Sequence, residues 1–202
     1  MNIPLDQLPA ILVATSFAAG LNVYATVATL GLLSRTNLVA LPPALHLVSN
    51  WYVIGICAVM FGIEFIADKI PAFDLIWNAL HTFVRIPVAA LLSYGAAAQL
   101  SPAAQLLSAV LGGLIALAAH SGKIAARAAV TPSPEPVSNM ALSVGEDAIA
   151  VFLTWFATRH PYISAGIVVV ALIVIVLLIR FVVRAVAALF RSAERKLVGS
   201  TG

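Results

Sequence analysis

Residues 163–179 read ISAGIVVVALIVIVLLI, a run of seventeen positions without a charged side chain. A transmembrane helix needs roughly 20 predominantly apolar residues to cross the hydrocarbon layer, within a range of about 17–25. The run is rich in β-branched Ile and Val, whose side chains carry no polar group that would need a partner in lipid. It therefore predicts a lipid-facing transmembrane helix.

The composition of the whole chain also indicates lipid as the solvent. Of its 202 residues, 62% are hydrophobic and 9% are charged, and the mean hydropathy is +1.05. A soluble domain carries about 25% charged residues, and a water-soluble fold of this length could not cover so much apolar surface. We therefore predict an all-α integral membrane protein that forms a single transmembrane domain over residues 1–202.

Turn residues divide the rest of the chain into further apolar runs. Prolines at Pro42-Pro43, Pro71 and Ser101-Pro102 mark loops or helix starts. The predicted spans are Leu8–Leu33, Trp51–Ala67, Val84–Leu100, Ala103–Ala119, Met140–Thr158 and Ile163–Ile179. An interfacial helix over 73–84 is predicted to lead into the third span, and a helical extension continues the fourth span through Arg127. Glu146-Asp147 interrupts the fifth span. Residues 191–202 are predicted to form a basic cytoplasmic tail.

Lysine and arginine fall unevenly on the two sides of these spans, and this bias sets the orientation. With both termini in the cytoplasm, only Arg35 and Arg159 lie outside. Met1–Pro9 has no basic residue, so it does not fit a cleavable secretory signal. We predict a multi-pass protein of the bacterial inner membrane with both termini cytoplasmic. Its cytoplasmic basic residues would be Lys69, Arg85, Lys123, Arg127, Arg180, Arg184, Arg191, Arg195 and Lys196.

A shared pattern divides the chain into halves, about 8–100 and about 101–190. Val48-Ser49-Asn50 and Val137-Ser138-Asn139 stand at nearly the same offset as Pro71 and Pro161. Because each half would hold three helices, an odd number, the second copy crosses in the opposite sense. We predict two inverted three-helix repeats, a plan common in secondary transporters, where the site lies at the repeat interface.

Ionisable residues inside apolar spans are costly and by default indicate a site or pathway. Most of those here stand three or four positions apart and so share a helix face. In the predicted topology they form a polar vestibule in the cytoplasmic half, with Asn22 near the midplane. The alternative is that they are paired charges that only fix helix ends. The candidate ligand or ion-pathway residues are Asn22, Glu64, Asp68, His81, Arg85, His120, Lys123, Arg127, Glu146 and Asp147.

No motif assigns a catalytic residue, a cofactor or a metal. Glu64 and Asp68 have suggestive metal-ligand spacing, but the second half has no matching acidic pair. Cys57, the single cysteine, indicates a buried small hydrophobe, and no phosphate-binding loop or nucleophile motif is present. The expected partners are the lipid bilayer and its anionic headgroups rather than nucleic acid. A small ion or solute and a second copy of the chain are further candidates.

Several motifs resemble one known family. The segment Glu64–Pro71 (EFIADKIP), followed by Asp74, Trp77 and His81–Pro87 (HTFVRIP), is similar to an uncharacterised bacterial membrane-protein family, the domain of unknown function number four-one-two-six. The resemblance covers roughly Leu12–Phe156, including Gly20-Leu21-Asn22, Ser133–Asn139 and Glu146-Asp147. It implies a membrane protein without an assigned activity.

Three functions stay open, with an enzyme the least favoured. The first is a small membrane transporter or channel-like protein with a cytoplasm-facing polar vestibule, which a water-accessible cavity at Asn22 would favour. The second is a non-catalytic membrane organiser that binds lipid or a partner protein, which a solid bundle of paired charges would favour. The third is a membrane-embedded lipid-modifying enzyme, which would need a carboxylate and His81 or His120 at a lipid-sized groove.

Overall fold

The computed structural model describes residues 4–68, 71–130 and 136–199, apart from the side chains of 71–76, 128–130, 136–139 and 189–199. Lys69, the side chain of Asp74, the stretch 131–135 and the basic side chains predicted for the tail lie outside the described residues. The described elements are α1 (Leu8–Leu21), α2 (Val23–Arg35), a 3₁₀ helix (Pro43–Ser49), α3 (Trp51–Ala67), α4 (Pro71–Ala96), α5 (Pro102–Val130), α6 (Pro136–Arg159) and α7 (Pro161–Gly199).

Four of these helices are long and apolar enough to cross a membrane, over Trp77–Ala96, Pro102–Arg127, Met140–Arg159 and Pro161–Ala188. The 3₁₀ helix and α3, whose axes differ by 58°, make a fifth crossing if they are counted as one span. The chain is therefore a multi-pass, all-helical membrane protein. The prediction of six spans is not confirmed, and the difference lies in the first span.

The predicted first span, Leu8–Leu33, is two helices that meet at Asn22. The backbone of Asn22 is extended (φ −148°, ψ 105°), and its side chain accepts a hydrogen bond from the Ala25 N–H at 2.9 Å, which caps α2. Ile11 and Leu30 line the same small cavity of about 30 Å³, whereas a straight helix would separate them by about 28 Å. Thus α2 returns toward the side from which α1 comes, and the two form a helical hairpin with Asn22 at its tip.

One further boundary differs from the sequence prediction. The interfacial helix predicted over 73–84 and the third span are one continuous helix, α4, which passes through Pro87 without a break. Glu146-Asp147 interrupts the apolar run of the fifth predicted span but not the helix, since α6 continues through both residues. Hydrogen-bonding partners from neighbouring helices, described below, allow these acids to lie within an unbroken helix.

The hairpin helix α1 lies at the centre of the bundle and packs against α4, α5, α6 and α7. Small residues make this possible. A Cβ on Gly20 would lie 2.4 Å from the backbone oxygen of Ala116 on α5, so the two helices approach almost to backbone contact. By contrast, α7 buries only 6% of its span window, in agreement with the lipid-facing helix predicted from residues 163–179.

The inverted repeat is not confirmed by the helix neighbours. If α2, α3 and α4 corresponded to α5, α6 and α7, the close packing of α4 on α5 would have a counterpart between α7 and α2. In the part of the chain that the structure describes, α7 and α2 share no comparable packing.

Candidate functional site

All ten residues predicted to form the polar site lie in one region around the hairpin tip. They come from Asn22, the C-terminal end of α3, the middle of α4, the second half of α5 and the middle of α6. Each of them is buried, and the side chains of Glu64, Arg85 and Lys123 are 0% exposed. The structure thus gathers one ionic network from four helices and the tip of a hairpin.

A chain of hydrogen bonds begins at Glu64 and ends at the backbone of α4. Arg85 donates through Nη2 to Glu64 Oε1 and through Nη1 to His120 Nδ1 at 2.7 Å. Since His120 accepts at Nδ1, a neutral ring carries its proton on Nε2, which donates to Thr82 Oγ1 at 2.8 Å. Thr82 in turn donates to the carbonyl of Asn78 at 3.0 Å. His120 is therefore held as a neutral ring whose two nitrogens are both occupied.

Two cations on α5 hold three carboxylates. Lys123 Nζ lies 3.0 Å from Asp68 Oδ2, 3.2 Å from Glu146 Oε2 and 3.6 Å from Glu64 Oε1. Arg127 Nη2 lies 2.8 Å from Asp68 Oδ2 and 3.1 Å from Glu146 Oε2. These contacts join α3, α5 and α6, and because the charges are desolvated, they need one another.

Asp147 differs from the other three carboxylates. Its Oδ1 accepts a hydrogen bond from Asn22 Nδ2 at 2.8 Å, whereas Oδ2 is buried without a hydrogen-bond partner. Among the described residues no Lys, Arg or His side chain lies within 4.0 Å of it. With His120 neutral, the described side chains of the network include three cations, Arg85, Lys123 and Arg127, and four carboxylates. Among these described groups, an ionised Asp147 is the negative charge without a paired cation.

His81 lies at the edge of the network and connects it to the hairpin. Its Nδ1 donates to the carbonyl of Trp77 at 2.8 Å, which leaves Nε2 to accept from the Tyr24 hydroxyl at 2.9 Å. The indole of Trp77 stacks on the His81 ring with centroids 4.3 Å apart. Both ring nitrogens are occupied, so His81 positions α2 against α4.

Three partners in the network were missed by the sequence analysis. Ser143 donates to Asp68 at 3.2 Å and stands three positions before Glu146, a spacing that could have placed it on the same face. Thr82 and Tyr24 carry no comparable signal, because a hydroxyl in an apolar helix often bonds only to its own backbone.

The network does not resemble a metal centre. No group of three His, Cys, Asp or Glu side chains that could hold a metal ion occurs in the described part of the chain. Glu64, Asp68 and Glu146 each lie against Lys123, so a metal ion would have to displace a cation that is already present.

A hydrophobic groove of about 600 Å³ reaches Asp147 from the side of the bundle. It lies between α3 and α6, both of which pack on α2. Four aromatic rings contribute to its walls, and Asp147 is the one ionisable residue among its described lining residues. The lining residues are Phe61, Phe65, Val144, Asp147, Ala148, Val151, Phe152 and Trp155.

Comparison with known proteins gives a family and no activity. The sequence model described as Domain of unknown function (DUF4126) matches residues 10–181. The chain belongs to this family. No curated protein and no solved structure matches it significantly.

The chemistry open to the site follows from its charges. The paired groups are fixed by one another, and both histidines are fully hydrogen-bonded. Among the described carboxylates of the network, Asp147 is the group that can gain a proton or a cation without breaking an ion pair. Asn22 can hold it in either state, because Oδ1 still accepts a hydrogen bond when Oδ2 carries a proton.

Proposed function

We propose that the protein is a small membrane transporter in which Asp147 binds the moving cation, in the simplest case a proton. The observation that carries this proposal is a buried carboxylate at the tip of a broken helical hairpin, with no Lys, Arg or His side chain within 4.0 Å among the described residues. Asp147 is 6% exposed and belongs to the candidate span Met140–Arg159, and an unpaired charge near the centre of a span costs about 2.5–3.5 kcal/mol on insertion scales. Binding of one positive charge to Asp147 removes that cost, so the binding of a proton or another cation is favourable.

The hairpin supports the same function. Broken helices are found in transporters where their ends point at a substrate or ion near the midplane. Here α2 begins at Asn22, and Asn22 contacts Asp147. The N-terminal end of a helix carries a partial positive charge that favours a nearby anion. Loading of Asp147 would remove that attraction, which couples the charge of the site to the position of the hairpin.

The membrane and its orientation are part of the proposal. We place the protein in the bacterial inner membrane with the Lys123 and Arg127 end of α5 toward the cytoplasm, as the basic residues predict. Since α2 returns toward the side of α1, the N-terminus would lie outside, with Arg35, and the C-terminus inside. This differs from two cytoplasmic termini but leaves the count of basic residues unchanged, because Met1–Pro9 contains none.

A non-catalytic membrane organiser is the second candidate. The ion pairs of Arg85, Lys123 and Arg127 favour it, since paired charges hold a bundle together without any transport. A lipid-modifying enzyme has less support, because His81 and His120 are held by hydrogen bonds and neither lines the groove at Asp147.

Charge movement after a pH jump distinguishes the transporter from the organiser and requires no knowledge of the substrate. Purified protein in liposomes on a solid-supported membrane should give a transient current when protons reach or leave Asp147. Asp147→Asn should abolish the current. Asp6→Asn is the matched control, because Asp6 is an exposed carboxylate that accepts from Tyr162 and should leave the current unchanged. An undiminished current in Asp147→Asn would overturn the proposal.

A further inference from the structure

The groove between α3 and α6 opens toward the lipid rather than toward water. Several of its walls are exposed on the outside of the bundle, with Val144 46%, Val151 41%, Phe152 51% and Trp155 41% exposed. These residues belong to a helix long and apolar enough to cross the membrane. A molecule entering here would therefore come from the hydrocarbon layer and must itself be hydrophobic.

A carboxylate without a paired cation borders the groove. Asp147 is one of its lining residues and has no Lys, Arg or His side chain within 4.0 Å among the described residues. Its Oδ2 is buried without a hydrogen bond, so a cation in the groove would pair with it once the side chain turns toward the groove wall. The rings of Phe61, Phe152 and Trp155 present π systems, which attract cations and have no comparable affinity for anions. A volume of about 600 Å³ lies within the range of about 300–1,000 Å³ typical of small-molecule sites.

We propose that this groove binds a hydrophobic organic cation from the bilayer, with the positive charge paired to Asp147 and the apolar groups against the aromatic walls. Such a cation would be the substrate of the proposed transporter, so this site rests on the proposed function and uses the same carboxylate, Asp147. One carboxylate balances one positive charge, so the cation and a proton compete. Binding of the cation releases the proton from Asp147, and lowering the pH displaces the cation.

The probe is tetraphenylphosphonium, and tetraphenylborate is its control of matched shape and opposite charge. Binding to purified protein in detergent is measured by equilibrium dialysis over a range of pH. Tetraphenylphosphonium should bind saturably with one site per chain, more weakly as the pH falls, and tetraphenylborate should not. Asp147→Asn should weaken tetraphenylphosphonium binding at least tenfold. Equal binding of the two ions, or wild-type affinity in Asp147→Asn, would overturn the inference.

A second pair of variants tests the groove while leaving Asp147 in place. Val151→Trp adds bulk to the groove wall and should weaken binding as strongly as Asp147→Asn does. Val170→Trp places the same side chain at a 61% exposed position on α7, away from the groove, and should bind as the wild type does. Wild-type affinity in Val151→Trp would show that the cation binds elsewhere.

The two proposals fail separately. If the pH-jump current depends on Asp147 but tetraphenylphosphonium binding does not, the groove inference is wrong and the transporter stands. If binding depends on Asp147 and Val151 but no variant changes the current, the chain is a cation-binding membrane protein and the transport proposal is wrong.

Discussion

Replacing Glu64 by Gln should be among the most destabilising changes in the network. The guanidinium of Arg85 is 0% exposed, and its described partners are Glu64 and the neutral His120. Glu64→Gln removes its one carboxylate and leaves a buried, unbalanced cation. Breaking a buried pair from one side costs about 3–5 kcal/mol. Lys123 is less affected, because it keeps Asp68 at 3.0 Å and Glu146 at 3.2 Å.

The double variant Glu64→Leu with Arg85→Met should recover most of that loss. Apolar residues can replace a buried ion pair at little cost, and the main remaining penalty is the donor that His120 Nδ1 loses, about 1–3 kcal/mol. We expect Arg85→Met alone to cost as much as Glu64→Gln and the double variant to lie within about 3 kcal/mol of the wild type. Reversible unfolding in mixed dodecylmaltoside and SDS micelles, followed by tryptophan fluorescence, gives the three free energies.

Two results would refute this reasoning. In the first, the double variant loses the sum of the two single losses, which would mean that Glu64 and Arg85 stabilise the fold independently. In the second, Glu64→Gln is as stable as the wild type, which would mean that water or another anion balances Arg85. Glu146→Gln is the matched control and should cost less, since Lys123 and Arg127 both retain Asp68.

Three further predictions test the hairpin and its packing. Gly20→Ala should destabilise the protein by about 1–3 kcal/mol, since its Cβ meets the Ala116 backbone. Gly62→Ala, which meets nothing within 4 Å, should be neutral or stabilising by up to about 1 kcal/mol in the same unfolding assay. In a background lacking Cys57, both Leu5→Cys and Asn37→Cys should react with an impermeant thiol reagent in intact cells. Protection of Leu5→Cys alone would mean that α1 and α2 together cross the membrane as one span. Asn22→Ala should lower the free energy of unfolding by about 1–3 kcal/mol, because the helix cap and the hydrogen bond to Asp147 are both lost. Asn22→Ser can still cap α2 and should lower it less. Equal losses would assign the whole effect to the bond with Asp147.

The sequence predicted which residues would meet but not how they would pair. Charges inside apolar spans must find partners, so the spacing of Glu64, Arg85, Lys123 and Arg127 indicated a shared region, and the structure brings them together there. The spacing did not indicate that Arg85 pairs with Glu64 while Lys123 contacts three carboxylates. That choice depends on the relative heights of α3, α4 and α5, which the turns between them do not determine. Whether the region is a pathway stays a prediction.

The hairpin at Asn22 could not have been predicted from local signals. An asparagine within an apolar run looks the same whether it caps a new helix or lies inside a continuous one. No proline stands at the break, and Gly20 serves the close approach to α5 rather than the turn. The return of α2 is stabilised by packing with distant parts of the chain, since Leu30 belongs to the same hydrophobic cluster as Leu45 and Leu92. Those contacts exist only after α4 has been placed.

Because the residues of the ionic network come from four helices, its charges reach the membrane at different times during synthesis. Glu64 and Asp68 leave the ribosome before the described cations that pair with them, which follow on α4 and α5. A lone carboxylate within a span costs about 2.5–3.5 kcal/mol on translocon insertion scales, so α3 by itself is a poor candidate for release into lipid. We expect α3 to be retained at the protein-conducting channel until α5 emerges with Lys123 and Arg127. A nascent chain stalled after α4 should then be extracted by alkaline carbonate more readily than one stalled after α6, and equal resistance would mean that α3 enters the bilayer unaided.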